Sequence, residues 1–189
     1  MNNGRRLYYI ALVFLFLTLL GGCGRNSDKE PSTPSEEKKE AALIPAAKRQ
    51  KMPDFTLPAI QDGAPVNSRN FLGRITVVAF FSPWCSDCVS EMGMLEKFWK
   101  SSLGAEFSAV GMAVVEEEDE GELTRFVKEL GIKFPVVLSN RTLEDAFGGF
   151  VSVPTAYLID KKGRIARQYI RHLKKDRLAA AVDLLRREP

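Results

Sequence analysis

Two cysteines separated by two residues, Cys85 and Cys88, form the part of the sequence best suited to chemistry. They follow an apolar, β-prone run at residues 75–81 and precede a stretch with helical spacing of apolar residues, which places them at a strand-to-helix junction. At a helix start this spacing lets the sulfurs close a small disulfide ring, and the first sulfur faces unpaired N–H groups and the positive helix end. Such sites lower a cysteine pKa from about 8.5 to between roughly 3.5 and 7.5, and the thiolate is the species that attacks disulfides. The pattern predicts thiol–disulfide exchange with Cys85 as nucleophile, Cys88 as resolving thiol and Trp84 packed beside the pair.

Three other interpretations of the cysteine pair are less favoured. A zinc site needs two more ligands, and the sequence has neither a second cysteine pair nor a histidine cluster. A purely structural disulfide across two residues constrains little of the unfolded chain. Two buried free thiols are uncommon in exported proteins. The strand-to-helix setting therefore favours a redox-active pair.

The elements around this pair alternate between strand and helix periods, and a β-hairpin and a helix close the chain. The strand-like runs are residues 75–81, 107–115, 155–160 and 164–170. The last two are joined by Lys161-Lys162-Gly163, which is a hairpin signal. Helical spacing of apolar residues follows the cysteine pair and recurs at residues 123–130 and 178–185. This order predicts a layered α/β domain with a mixed sheet.

The first residues have the pattern of an export signal. Arg5 and Arg6 precede an apolar run at residues 7–20, which is shorter than the roughly 20 residues that span a bilayer. The run ends in Leu-Gly-Gly-Cys23, which resembles the lipobox of bacterial lipoproteins and implies cleavage before Cys23 and lipidation of its sulfur. An uncleaved signal anchor is the alternative. Lipidation would also explain why an exported chain has an odd number of cysteines, three in all.

These patterns divide the chain into three parts: a lipoprotein signal peptide at 1–22, a flexible membrane tether at 23–51 and a domain at 52–189. The tether is predicted from its Lys, Glu, Ser, Pro and Ala content, which leaves too few large apolar residues to form a core. Removing Arg5 and Arg6 with the signal lowers the formal charge from +3 to +1, so the composition gives no electrostatic reason to expect nucleic acid binding.

The domain resembles the TlpA/ResA family of membrane-anchored thioredoxin-like proteins over nearly all of residues 53–170. The matching motifs are Pro-Asp-Phe-Thr-Leu at 53–57, Phe-Phe-Ser-Pro-Trp-Cys at 80–85, Val-Pro-Thr at 153–155 and the segment at 157–163. The resemblance implies a three-layer thioredoxin-like α/β fold with a mixed central sheet and an N-terminal β-hairpin extension. It also implies reduction of disulfides in exported proteins, apocytochrome c and copper-site assembly proteins being examples, and a membrane electron-donor thiol protein as the source of reducing equivalents. We expect a monomer without cofactor or metal, bound to lipid through Cys23 and facing the periplasm or cell exterior.

Further site residues follow from the same resemblance. Val153-Pro154 matches a cis-proline of the family, which would turn the Val153 backbone outward beside Cys85 to pair with a client chain. Glu91, one helical turn after Cys88, matches an acid near the family's active site that could tune thiol pKa values or relay a proton. A solvated helix carboxylate and an ordinary strand-start proline are the simpler alternatives.

The sequence also departs from the family pattern. Asp87 and Gly93 stand where the family usually has prolines, and Ala79 occupies the strand position where thioredoxin keeps a buried acid. Negative charge at Asp87 should raise the pKa of the Cys85 thiol and make the couple more reducing.

Two other functions compete with disulfide reduction. A peroxiredoxin-like peroxidase shares the N-terminal hairpin but has a Pro-x-x-x-Thr-x-x-Cys pattern that this sequence lacks. A copper-binding assembly lipoprotein without redox turnover would have three residues between its cysteines and a distant histidine. In a cell with two membranes, Gly24 after the lipidated cysteine favours the outer membrane over the inner.

Overall fold

The computed structural model describes residues 42–102, 106–115, 119–149 and 152–188. The predicted signal peptide, most of the predicted tether and Cys23 lie outside these residues. Within the described residues, no helix has the length and apolar character needed to cross a membrane.

A five-stranded mixed sheet forms the centre of the domain, in the order β5-β4-β3-β6-β7. Strands β3, β4 and β5 are parallel, whereas β6 runs antiparallel to β3 and β7 antiparallel to β6. Their bounds are β3 Ile75–Phe81, β4 Phe107–Ala113, β5 Val136–Leu138, β6 Thr155–Ile159 and β7 Ile165–Ile170. All seven residues of β3 are buried, as the sequence predicted for a central strand with both faces covered.

Helices cover one face of the sheet, and a hairpin with a short helix covers the other. The first face packs against α1 (Ser86–Ser101), α2 (Glu120–Glu129) and α4 (Lys175–Arg186). The second packs against α3 (Arg141–Ala146) and the N-terminal hairpin of β1 (Thr56–Pro58) and β2 (Pro65–Asn67). The three layers and the hairpin extension confirm the predicted thioredoxin-like fold.

Helix α1 is packed closely on the sheet below the cysteine pair. A Cβ added at Gly111 in β4 would lie 3.0 Å from Phe81, 3.1 Å from Met92 of α1 and 3.2 Å from Val136. The missing side chain at Gly111 therefore leaves the space that Met92 fills, and Met92 is one turn beyond Cys88.

The ordered domain begins upstream of its predicted boundary at Met52. Ile44 N–H donates to the Ala166 carbonyl of β7 at 2.8 Å, and Ile165 N–H donates to the Gln50 carbonyl at 2.8 Å. Arg49 is buried and its guanidinium lies 3.0 Å from Asp160 Oδ2 and 2.5 Å from Glu188 Oε2. Residues 42–51 are thus part of the folded domain, and the prediction that they belong to a flexible tether is corrected.

Candidate active site

Cys85 lies at the N-cap of α1, directly after the loop that follows β3. Its Sγ accepts the Cys88 N–H at 3.2 Å, so the sulfur occupies the position where the helix leaves backbone donors unpaired. A disulfide joins the two cysteines, whose Cα atoms are 5.1 Å apart. Cys85 is half-buried and Cys88 is fully buried. An incoming sulfur can therefore reach Cys85, whereas Cys88 is shielded behind it.

The Val153–Pro154 peptide faces the cysteine pair and is cis, as the family resemblance implied. The Val153 carbonyl oxygen lies 3.8 Å from Cys85 Sγ. Behind it, the Pro154 carbonyl accepts the Arg171 N–H at 2.9 Å, which ties this loop to the turn between β7 and α4. This bond was not predictable from the sequence, because a backbone donor is the same whatever the side chain.

Glu91 is a buried carboxylate on the same helix, with 8% of its surface exposed. Its Oε2 accepts the Leu173 N–H at 2.9 Å, so the turn after β7 contacts the redox helix as well as the cis-proline loop. Burial raises the pKa of Glu91 and the charge of Asp87 adds to this, while the Leu173 hydrogen bond and His172 oppose it. The alternative of a solvated carboxylate is thereby excluded. A raised pKa brings this carboxyl nearer to neutral pH, where it can both accept and donate a proton.

Trp84 is the remaining predicted site residue in the described part of the chain, and it lies at the surface. Trp84 is next to Cys85 and 58% exposed, so more than half of its surface is open to solvent. Asp87 is exposed in the first turn of α1. Ala79, at the strand position where thioredoxin keeps an acid, is buried in β3 and carries no carboxylate. Of the buried carboxylates on α1, Glu91 is the nearer in sequence to Cys88. In the part of the chain that the structure describes, no three His, Cys, Asp or Glu side chains are arranged to hold a metal ion.

Comparison with known proteins assigns the chain to a family. The sequence profile of the AhpC/TSA family matches residues 49–168. The chain belongs to the AhpC/TSA family. The match begins at the buried Arg49, in agreement with the upstream boundary of the domain.

Relatives and solved structures narrow the reaction class. Thiol-disulfide oxidoreductase ResA from Bacillus thuringiensis (strain Al Hakam) is 25% identical over 131 residues, covering 68% of this chain and 73% of the relative. Thioredoxin-like protein YneN from Bacillus subtilis (strain 168) is 24% identical over 135 residues, covering 71% and 78%. A thiol:disulfide interchange protein of the thioredoxin family from Chlorobium tepidum TLS superposes with a TM-score of 0.67 and 27% identity, covering 75% of this chain and 99% of that one.

These similarities and the Cys85–Cys88 disulfide support one conclusion about the chemistry. This member of the AhpC/TSA family is a thioredoxin-like thiol–disulfide oxidoreductase. The predicted fold, family resemblance and reaction class are confirmed.

Proposed function

We propose that the protein reduces disulfide bonds in exported proteins while anchored outside the cytoplasm through a lipid on Cys23. The observation that supports the reaction best is the position of Cys85 Sγ, accessible at the start of α1 with the Cys88 N–H 3.2 Å away. The helix dipole and this N–H stabilise a thiolate there. The anchor is supported by the signal-like residues 1–22 and the lipobox-like sequence before Cys23.

The catalytic cycle transfers two electrons from the cysteine pair to the client. The Cys85 thiolate attacks one sulfur of a client disulfide, forming a mixed disulfide and releasing the other client sulfur as a thiolate. Cys88 then attacks Cys85 Sγ, the mixed disulfide breaks and the second client sulfur leaves. The client is left as a dithiol and the protein as the Cys85–Cys88 disulfide, the state seen in the structure. A membrane electron-donor thiol protein would restore the reduced pair.

In this cycle Glu91 accepts the proton that the Cys88 thiol must lose before it attacks. Residues three apart on a helix have Cβ atoms about 5–6 Å apart, which one water molecule can bridge. Because its pKa is raised by burial, the Glu91 carboxylate is a stronger base than an exposed one.

Client binding involves the surface around the cis-proline. The Val153 carbonyl, 3.8 Å from Cys85 Sγ, can pair with the backbone of an extended client segment, and Pro154 fixes that carbonyl in place. The exposed ring of Trp84, the residue before Cys85, offers an apolar surface for the client. Backbone hydrogen bonds do not depend on the client's side chains, so clients of several kinds fit this site. Apocytochrome c and copper-site assembly proteins are the first candidates to test.

A trapping experiment tests this proposal. Cys88→Ser should accumulate a mixed disulfide with a client, because the resolving thiol is missing, whereas Cys85→Ser should form none. The wild type should reduce a protein disulfide with dithiothreitol as donor, and both variants should lose turnover. Accumulation on Cys88 in the Cys85→Ser variant would reverse the assigned roles. Consumption of hydrogen peroxide faster than reduction of the protein disulfide would favour the peroxidase alternative instead.

A further inference from the structure

A cleft follows α1 away from the cysteine pair, between this helix and residues 171–175, which form the turn before α4 and the first residue of α4. It consists of two adjoining depressions of about 290 Å³ and about 390 Å³, which share Ser90, Met94 and Lys175. Asp87 and Glu91 line the end nearest Cys85, and Lys97 lines the far end. The cleft therefore begins in the first turn of the redox helix.

The borders of this cleft are basic. They include Lys97, Arg171, Lys174 and Lys175, all at the surface of the domain. None of these four forms an ion pair with an acidic residue in the described part of the chain, whereas Arg49, Arg164 and Arg186 each do. Of the two acids in the cleft, Glu91 already accepts the Leu173 N–H and Asp87 lies at the end beside Cys85. The far half of the cleft thus presents unpaired positive charge.

The floor of the cleft is apolar and open. Val89 is 39% exposed and Met94 is half-buried. A Cβ placed at Gly93 would meet nothing within 4 Å, so this residue leaves room above the helix where the family pattern has proline. An apolar side chain of a bound segment fits between these residues while its charged neighbours meet the basic borders.

Backbone hydrogen bonds connect this cleft to the site where clients react. Arg171 has a positive φ of 67°, an uncommon conformation for a residue other than glycine. Its N–H donates to the Pro154 carbonyl, and the nearby Leu173 N–H donates to Glu91. The basic border and the cis-proline loop thus form one hydrogen-bonded unit, and the Val153 carbonyl of that loop lies 3.8 Å from Cys85 Sγ.

We propose that this cleft binds an acidic segment of the protein that exchanges disulfides with Cys85. Lys97 lies twelve residues beyond Cys85, about 18 Å along the helix axis at 1.5 Å per residue. An extended chain at about 3.3 Å per residue covers this distance in about five or six residues. The partner's carboxylates should therefore lie about three to six residues from its reacting cysteine. Binding of the same cations to an anionic membrane is the competing outcome, and the experiment distinguishes it.

Charge-matched peptides and protein variants test this inference, which rests on the proposed reaction at Cys85. Two peptides are prepared as mixed disulfides with mercaptoethanol, identical except for two glutamates or two glutamines at positions four and six after the cysteine. The reduced protein transfers two electrons to the mixed disulfide, giving peptide thiol, mercaptoethanol and the Cys85–Cys88 disulfide. Second-order rate constants are measured for the wild type and for the cleft variant Lys97→Glu/Lys175→Glu. The control variant is Lys128→Glu/Lys162→Glu, which changes the net charge by the same amount at exposed residues outside the cleft.

We expect the wild type and the control to favour the acidic peptide by about fivefold, the effect of two exposed ion pairs. The preference should disappear in Lys97→Glu/Lys175→Glu and in 1 M NaCl, where the Debye length falls to about 3 Å. Equal rates for both peptides with the wild type would overturn the inference and leave the proposed reaction intact. An equal loss in both double variants would also overturn it, because net charge alone would then explain the preference. Failure to reduce either peptide would instead refute the reaction at Cys85. Binding of the wild type, but not the cleft variant, to vesicles containing phosphatidylglycerol, without any peptide preference, would assign the cations to a membrane.

Discussion

Replacement of Glu91 by alanine or by glutamine separates the two effects of this carboxylate on stability. Glu91 is 8% exposed and its Oε2 accepts the buried Leu173 N–H at 2.9 Å. Alanine removes the acceptor and leaves that N–H unpaired, at a cost of about 1–3 kcal/mol. Glutamine keeps the length of the side chain and an oxygen that can accept the same bond. We therefore expect Glu91→Ala to unfold with about 1–3 kcal/mol less free energy than Glu91→Gln.

The second effect is that of the Glu91 charge, and it makes the stability of the protein depend on pH. Because burial raises the pKa of Glu91 in the folded protein, the folded state binds more protons than the unfolded state above the ordinary carboxyl value of about 4.5. The wild type should therefore lose stability relative to Glu91→Gln as the pH rises from about 4.5 through the raised pKa. Well below 4.5 both side chains are neutral in the folded and unfolded states, so the difference between the two proteins should no longer change with pH.

Urea unfolding of the oxidised proteins between pH 4 and pH 8 measures both quantities. A 1–3 kcal/mol difference corresponds to roughly 3–10 °C in melting temperature for a domain of this size, which gives an independent check. Equal stability of the alanine and glutamine variants would show that the Leu173 hydrogen bond is unimportant. A wild type that gains stability relative to Glu91→Gln with rising pH would refute the raised pKa.

Three further predictions concern packing, redox potential and the N-terminal boundary. Gly111→Ala should lower the free energy of unfolding by about 1–3 kcal/mol, measured by urea titration, because the added methyl group is too close to three core side chains. Asp87→Asn should raise the reduction potential on the order of 10 mV in thiol-buffer titration, because it removes negative charge near the Cys85 thiolate; an unchanged or lower potential would contradict this. Arg49→Met should cost about 3 kcal/mol, because it leaves the buried Asp160 with one guanidinium partner fewer, and limited proteolysis should then cleave within residues 42–51. Resistance of these residues to protease in the variant would show that the ion pairs do not hold them.

The parts of the fold that follow from local pattern were predictable from the sequence. The apolar run of β3 and the helical spacing after Cys88 predicted a buried strand followed by a helix. These two elements placed the cysteine pair at the start of the helix. The Lys161-Lys162-Gly163 turn likewise predicted the β6–β7 hairpin.

Contacts between distant parts of the chain were not predictable in the same way. Arg49 lies in a polar stretch that looks like a linker, yet its partners Asp160 and Glu188 are 111 and 139 residues away. The burial of Glu91 depends on the turn that supplies the Leu173 N–H, and a backbone amide is the same in every sequence. For this reason the helix position of Glu91 was compatible with either a solvated or a buried carboxylate until the tertiary structure was known.

The reduction potential of the Cys85–Cys88 couple tests the central claim most directly. The purified protein is equilibrated with thiol buffers of known potential, and the fluorescence of Trp84, next to Cys85, reports the fraction of the pair that is oxidised. We predict a reversible two-electron transition near or below about −230 mV, in the range of thioredoxin and glutaredoxins, as expected of a disulfide reductant. A potential near about −120 mV would identify an oxidant instead, and the absence of any reversible transition would contradict a redox function for this pair.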